Sequence, residues 1–143
     1  MSNRSTLRAS DIGVGDTITA MAIALTPTLV VAGAIATRDF MPVHHDKHYA
    51  QSQGAPDIFM NILSTNAYVS RFITDWAGPE TMLRSIRIRL GVPAIPHQVL
   101  RFSGEVLGKR DEGDKCVIDV TVRVSNDLGD HATGTAELSL PAG

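Results

Sequence analysis

In the run Arg38-Asp39-Phe40-Met41-Pro42-Val43-His44-His45-Asp46-Lys47, a carboxylate and an imidazole stand on either side of a proline. Pro42 fixes its own φ and pushes Met41 toward extended geometry, so Asp39 and His44 can converge from the two limbs of a stiff bend. General acid–base chemistry needs such convergence, because both groups must reach one small volume. Taken singly, Asp39 reads more simply as a turn-capping aspartate and His44 as a satisfied surface histidine. His44, His45, Asp46 and His48 also raise a metal site, since His44 and His48 would share one face of a helix that began early. That signal is weak: no Glu lies between the pair, as a metalloprotease site would need, and His97 and His131 have no spacing that recommends them. Neither a metal nor a cofactor is expected. Cys116 sits in an alternating strand and reads as a small core residue. Gly13-Val14-Gly15-Asp16 precedes a strand and reads as a turn, not as a phosphate loop.

The elements around the bend follow from periodicity and punctuation. Thr17 to Leu25 alternates with a period of two, a strand signal. Thr26-Pro27 is a helix start, with Thr26 as N-cap and Pro27 at the first helical position, and Leu29 to Ala36 reads as a short buried helix that delivers the chain to Asp39. Residues His45 to Ser52 suit a second helix that stops at Gly54. The long helix is expected from about Asp57 to Ala77, opened by Pro56-Asp57 and ended by Gly78-Pro79, with Ile58, Ile62, Val69, Phe72, Ile73 and Trp76 at helical spacing. Phe59, Phe72 and Trp76 read first as packing. From Ser85 the period returns to two, through runs centred on Ile86 to Leu90, Leu100 to Val106, Cys116 to Val124 and Ala132 to Leu140. Short polar connections join these four strands, which implies an antiparallel sheet with one face on a core and one face wet. Arg84, Arg87, Arg89, Arg101 and Arg123 fit that wet face, although some are also suited to meeting nucleotide phosphates. Strand, helix, loop, long helix and four strands together make an α+β architecture, an antiparallel sheet curled around one long central helix.

Against that background, Asp39-x-x-Pro42-Val43-His44, followed by Asp46 and Ala50, resembles the hydratase motif of the MaoC-like proteins. That motif reads Gly-Asp-x-Asn-Pro-[Ile/Val]-His-x-Asp-x-x-x-Ala. The resemblance runs from about Leu7 to Pro141 and is sharp at Asp39 to Ala50. It implies a single hot-dog domain over residues 1–143 and an enoyl-CoA hydratase that adds water to the double bond of a 2-enoyl-CoA thioester, with Asp39 and His44 as the catalytic acid/base pair. At this family spacing the catalytic reading overtakes the single-residue ones. Two positions depart from the motif: Arg38 stands at the Gly and Met41 at the Asn, which in the family helps to brace the loop. The resemblance also puts a backbone N–H for the thioester oxygen at the start of the long helix, in Pro56-Asp57-Ile58-Phe59-Met60-Asn61. The bend and the helix text through Thr74-Asp75-Trp76-Ala77-Gly78-Pro79 look most like the small MaoC-like subunits of actinobacterial steroid side-chain degradation. Those pair with a second MaoC-like subunit that lacks the catalytic pair, so a heteromer of this kind, or a homodimer, is the implied partner state, and an acyl-CoA thioester the implied substrate. Two alternatives stay open: an acyl-CoA thioesterase of the same fold, which has no need of His44, and a silent acyl-CoA-binding subunit, which the departures at Arg38 and Met41 favour.

Composition bounds these readings. The 143 residues, 43% hydrophobic and 20% charged, provide one core and no room for a second domain. A formal net charge of -2 and a pI near 6.2 argue against a nucleic-acid surface. The uncharged stretch Ile18 to Thr37 breaks at Thr26-Pro27 into pieces shorter than the roughly 20 residues a spanning helix needs, so no membrane segment is expected. One cysteine fits a reducing compartment, and Met1 to Ser10 is not followed by an apolar block of signal-peptide type. A cytoplasmic protein is the expectation.

Overall fold

A computed structural model of the protein describes residues 5–143; the first residues of the Met1 to Ser10 stretch, read above for a signal peptide, lie outside them. The chain forms, in order, β1 (Met21–Ala24), α1 (Pro27–Ala36), a 3-10 turn (Pro42–His44), α2 (Lys47–Ser52), α3 (Ile62–Ala77), β2 (Met82–Leu90), β3 (Val99–Ser103), β4 (Val106–Glu112), β5 (Lys115–Asn126) and β6 (Gly129–Pro141). All strand pairings are antiparallel, in the order β1-β3-β5-β6-β2, with β4 continuing alongside β5. The sheet wraps α3, which is the hot-dog arrangement.

The core is the seam between α3 and the inner face of the sheet. Val69, Phe72, Ile73 and Ala77 meet Leu100, Phe102, Val106, Ile118, Val120, Leu138 and Leu140, all essentially buried. The Phe72 and Phe102 rings lie 5.8 Å apart. Burying a large apolar side chain of this kind contributes roughly 2 kcal/mol, so this seam supplies much of the drive to fold. Cys116 belongs to the same core and is fully buried. The face alternation expected of β5 is kept at Cys116, Ile118, Val120, Val122 and Val124, although Val117 is buried as well.

Four details differ from the sequence reading, each for a local reason. The long helix begins at Ile62, not near Asp57. Residues 57–60 spend their hydrogen bonds elsewhere: Ile58 N–H on the Asp57 side chain, Phe59 N–H on the Val43 carbonyl and Met60 N–H on the Ala94 carbonyl. The buried face of α3 shifts accordingly, with Ile62 48% exposed, while Ser64 and Thr65 are buried. Five strands follow α3, not four, because the run Leu100 to Val106 kinks at Gly104-Glu105. A Cβ on Gly104 would lie 2.4 Å from the Thr121 carbonyl oxygen, so only glycine lets the backbones approach there. The same kink shortens β1: Thr17 makes an isolated bridge to Glu105 and Ile18 N–H bonds Gly104, leaving Met21–Ala24 as the stretch that runs straight beside β3. Finally, α1 is buried only at Val30 and Ala34, and Ile35 stands exposed.

The outer face of the sheet is wet and charged, as alternation requires. Arg84 and Arg110 share Glu112 and Glu137, and Arg123 pairs with Asp130. No helix among the described residues is long and apolar enough to cross a membrane.

Candidate active site

Asp39 is delivered by the way α1 stops. Thr26 accepts the Leu29 N–H at 3.1 Å to open the helix. At its other end Arg38 N–H reaches the Ile35 carbonyl and Asp39 N–H reaches the Ala34 carbonyl, with Arg38 left-handed at φ 56°. This is the Schellman pattern, in which the residue past the helix cap turns left-handed so that the stranded carbonyls find donors. Asp39 therefore leaves α1 at an angle fixed by two backbone bonds. Arg38 occupies the place the motif gives to glycine, and its backbone keeps a glycine-like conformation.

His44 is delivered from the other limb. The turn Pro42–His44 closes with His44 N–H on the Met41 carbonyl and His45 N–H on the Pro42 carbonyl. Asp46 then caps α2 by accepting the Tyr49 N–H at 3.0 Å. Val43 and Ala50 pack with Val30 and Ile58 in a second small cluster beneath the bend. The non-helical segment 57–60 contributes Ile58 and Phe59 to this cluster, and its Phe59 carbonyl sits 2.7 Å from His44 Nδ1. The Phe59 ring meets the imidazole edge-on at 5.1 Å.

The two limbs meet with His44 Nε2 3.3 Å from Asp39 Oδ2. A carbonyl oxygen only accepts, so Nδ1 carries the hydrogen in the Phe59 contact and the tautomer is set. Nε2 is then the ring position open to proton exchange, and it points at the carboxylate. His44 is 8% exposed at its side chain and Asp39 28%, so the pair sits at the floor of an opening rather than on the surface. Partial burial pushes the Asp39 carboxyl up, but the Asn61 amide, the Met41 N–H and His44 outweigh it and hold the group below its ordinary value.

Asn61 was not legible as a site residue in the sequence, where it reads as a polar position of the long helix. It is 2% exposed, and it caps α3 by accepting the Ser64 N–H at 3.2 Å. Its Nδ2 lies 3.1 Å from Asp39 Oδ2 and 2.8 Å from Thr37 Oγ1. The signal in the sequence was an Asn three residues before Ser64, a helix-start pattern that competes with the Pro56-Asp57 start.

The other candidates are placed apart. His45 and His48 are exposed, His97 is exposed, and His131 is buried on β6, where it bonds Thr65 Oγ1 and the Val92 carbonyl and is held below its ordinary pKa by burial. Among the described residues no group of three His, Cys, Asp or Glu side chains converges as a metal would require. Ile62 and Leu63, at the open end of α3, have backbone N–H groups without a partner among the described residues.

Comparison with known proteins places these features in a family. Residues 12–127 match the model of the MaoC like domain. The chain is 49% identical over 114 residues to the 3-oxo-4,17-pregnadiene-20-carboxyl-CoA hydratase beta subunit of Mycobacterium tuberculosis, covering 80% of this chain and 85% of that protein. Among solved structures, a chain of the ChsH1-ChsH2 complex from Mycobacterium tuberculosis superposes with a TM-score of 0.84 at 45% identity, over 90% of this chain and 98% of that one. An (R)-hydratase from A. caviae involved in PHA biosynthesis shares the fold, with a TM-score of 0.81 at 19% identity over 91% of this chain and 98% of that one. By its matched residues and its relatives, the chain belongs to the MaoC-like family.

Proposed function

We propose that this protein is the catalytic subunit of an enoyl-CoA hydratase that adds water across the 2,3 double bond of a 2-enoyl-CoA thioester. The observation that carries the reading is the contact of His44 Nε2 with Asp39 Oδ2, with the Phe59 carbonyl holding the other ring nitrogen. Water held against both groups loses a proton to the ionised Asp39 carboxylate as its oxygen attacks the β-carbon. The α-carbon takes a proton from Nε2 of His44, which enters the cycle as an imidazolium with Nδ1–H on the Phe59 carbonyl and Nε2–H facing Asp39, and Asp39 returns its own proton to Nε2 across the contact, which resets the pair. The electrons pushed onto the thioester oxygen are met by the N–H groups of Ile62 and Leu63 at the positive end of α3. No cofactor enters this scheme.

We further propose a bulky, steroid side-chain substrate and a second MaoC-like subunit as partner. The name of the M. tuberculosis relative, a beta subunit of a pregnadiene carboxyl-CoA hydratase, supports both. So does the shape of this chain. A groove between α1 and α3, lined by Gly33, Ala36, Thr37, Ser64, Ala67 and Tyr68, has a volume of about 280 Å³ and is open to solvent. Enclosed small-molecule sites usually hold about 300–1,000 Å³, so one protomer alone does not enclose a polycyclic acyl group. Phe40 and Met41, within the bend, and Ile62 and Leu63, after Asn61, are large apolar side chains left exposed beside the pair, as expected where another surface covers them. A larger hollow of about 430 Å³ lies on the charged outer face of the sheet, at Ser85, Arg87, Asp119 and Glu137, and includes no residue of the pair.

The test is to assay the chain alone and with a MaoC-like partner on crotonyl-CoA and on a steroid side-chain enoyl thioester. Loss of enoyl absorbance without thiol release, fastest for the bulky substrate in the mixed assembly, is the expected result. Thiol release would make the protein a thioesterase. Silence of every assembly would make it a binding subunit.

A further inference from the structure

We propose that Asn61 is a positioning residue for Asp39, supplying from α3 the brace that the bend itself lacks. The inference rests on the catalytic role given to Asp39 and His44 above. Met41, at the position where the motif carries Asn, has no side-chain donor, and its backbone N–H meets Asp39 Oδ1 only at 3.3 Å. Asn61 provides a second donor, to the other oxygen, the one that faces His44.

The orientation of the Asn61 amide is forced by its surroundings. Ser64 N–H can meet only Oδ1, and a carboxylate can meet only the NH2 group. The remaining hydrogen of Nδ2 goes to Thr37 Oγ1, whose own hydrogen is given to the Gly33 carbonyl at 2.8 Å. Every polar atom of the side chain is thus used, at 2% exposure, so the group has no alternative pose that costs nothing. The chain Thr37, Asn61, Asp39 ties the end of α1, the start of α3 and the carboxylate into one unit. It also fixes which Asp39 oxygen His44 sees and favours the charged form of that carboxylate.

A cap and a positioning donor can be separated by substitution. Asn61→Asp keeps the size and the cap acceptor but replaces the NH2 donor with an oxygen facing Asp39. Asn61→Ser also caps well but is too short to reach the carboxylate. If Asn61 only caps α3, Asn61→Ser should behave as wild type, and Asn61→Asp should differ from it only by the repulsion of the new carboxylate on Asp39. If it positions Asp39, both should melt near the wild-type temperature, lose about 100-fold in kcat, the scale of a misplaced reacting group, and keep KM within about two-fold. The Asp39 carboxyl, followed by carbon NMR of the folded protein without substrate, should then titrate at higher pH in Asn61→Ser, which removes the donor without adding a charge. A kcat within about two-fold of wild type in either folded variant, or an unchanged Asp39 titration in Asn61→Ser, overturns the proposal. The NMR arm stands even if the wild-type chain proves to have no hydratase activity, so failure of the hydratase reading and failure of this one remain distinguishable.

Discussion

Asp39 and His44 have unequal supports, and the inequality suits the roles proposed for them. His44 is held by one strong acceptor and is mostly buried, whereas Asp39 is held by donors and partly open to solvent. Donors around a carboxylate favour its charged form, which suits the group that must accept a proton from water. Asp39→Asn and His44→Ala are each expected to lower hydratase turnover by about 100-fold or more while leaving the circular dichroism spectrum unchanged. The proposed scheme needs Asp39 ionised, so its activity is expected above the folded pKa of this group and is lost as the pH falls through it. Because that value is depressed from its ordinary 3.8, the acid limb of kcat/KM should lie below about pH 4. A pH–rate profile with its acid limb well above pH 4 would show that a different group titrates there.

At the scale of elements, the stop of α1 decides where Asp39 goes. Arg38 at φ 56° holds a conformation that costs a side chain with a Cβ roughly 1 kcal/mol and costs glycine little. Arg38→Gly is therefore expected to keep turnover and to alter stability by no more than about 1 kcal/mol, the relief of strain being offset by the freer unfolded chain. Arg38→Val should destabilise the protein and slow it, because a β-branched residue is a genuine outlier at positive φ and would swing Asp39 off its line. Thermal melts and steady-state rates on the two variants check this. The departure from the family's glycine is thus a conformational cost carried by α1, and the site it leads to stays assembled.

At the scale of the molecule, the sheet ends at β1 on one side and β2 on the other, and unpaired edges invite another chain. With the apolar residues beside the pair also uncovered, the protein is expected to run as a dimer or as a mixed assembly with a second MaoC-like chain. Light scattering on the chain alone and co-expressed with that partner measures this. A stable monomer under both conditions would remove the partner and, with it, the argument for a bulky substrate.

Much of this was legible in the chain itself, and the reason is local. Thr26-Pro27 starts α1, Asp46 caps α2, and the period-two runs from Ser85 onward form strands, because caps, proline and alternation act within a few residues of sequence. Asp39 and His44 were legible as a pair for the same reason, being five positions apart around one proline. What the sequence could not decide came from contacts distant along the chain. The start of α3 moved to Ile62 because bonds to the Val43 and Ala94 carbonyls, 16 and 34 residues from their partners Phe59 and Met60, hold that stretch against distant backbone instead of in a helical turn. The strand from Leu100 broke at Gly104 because the Thr121 carbonyl leaves no room for a Cβ. Asn61 joined the site from 22 residues away, since hydrogen bonding depends on where folded elements come to rest, and only the packing of α1 against α3 sets that.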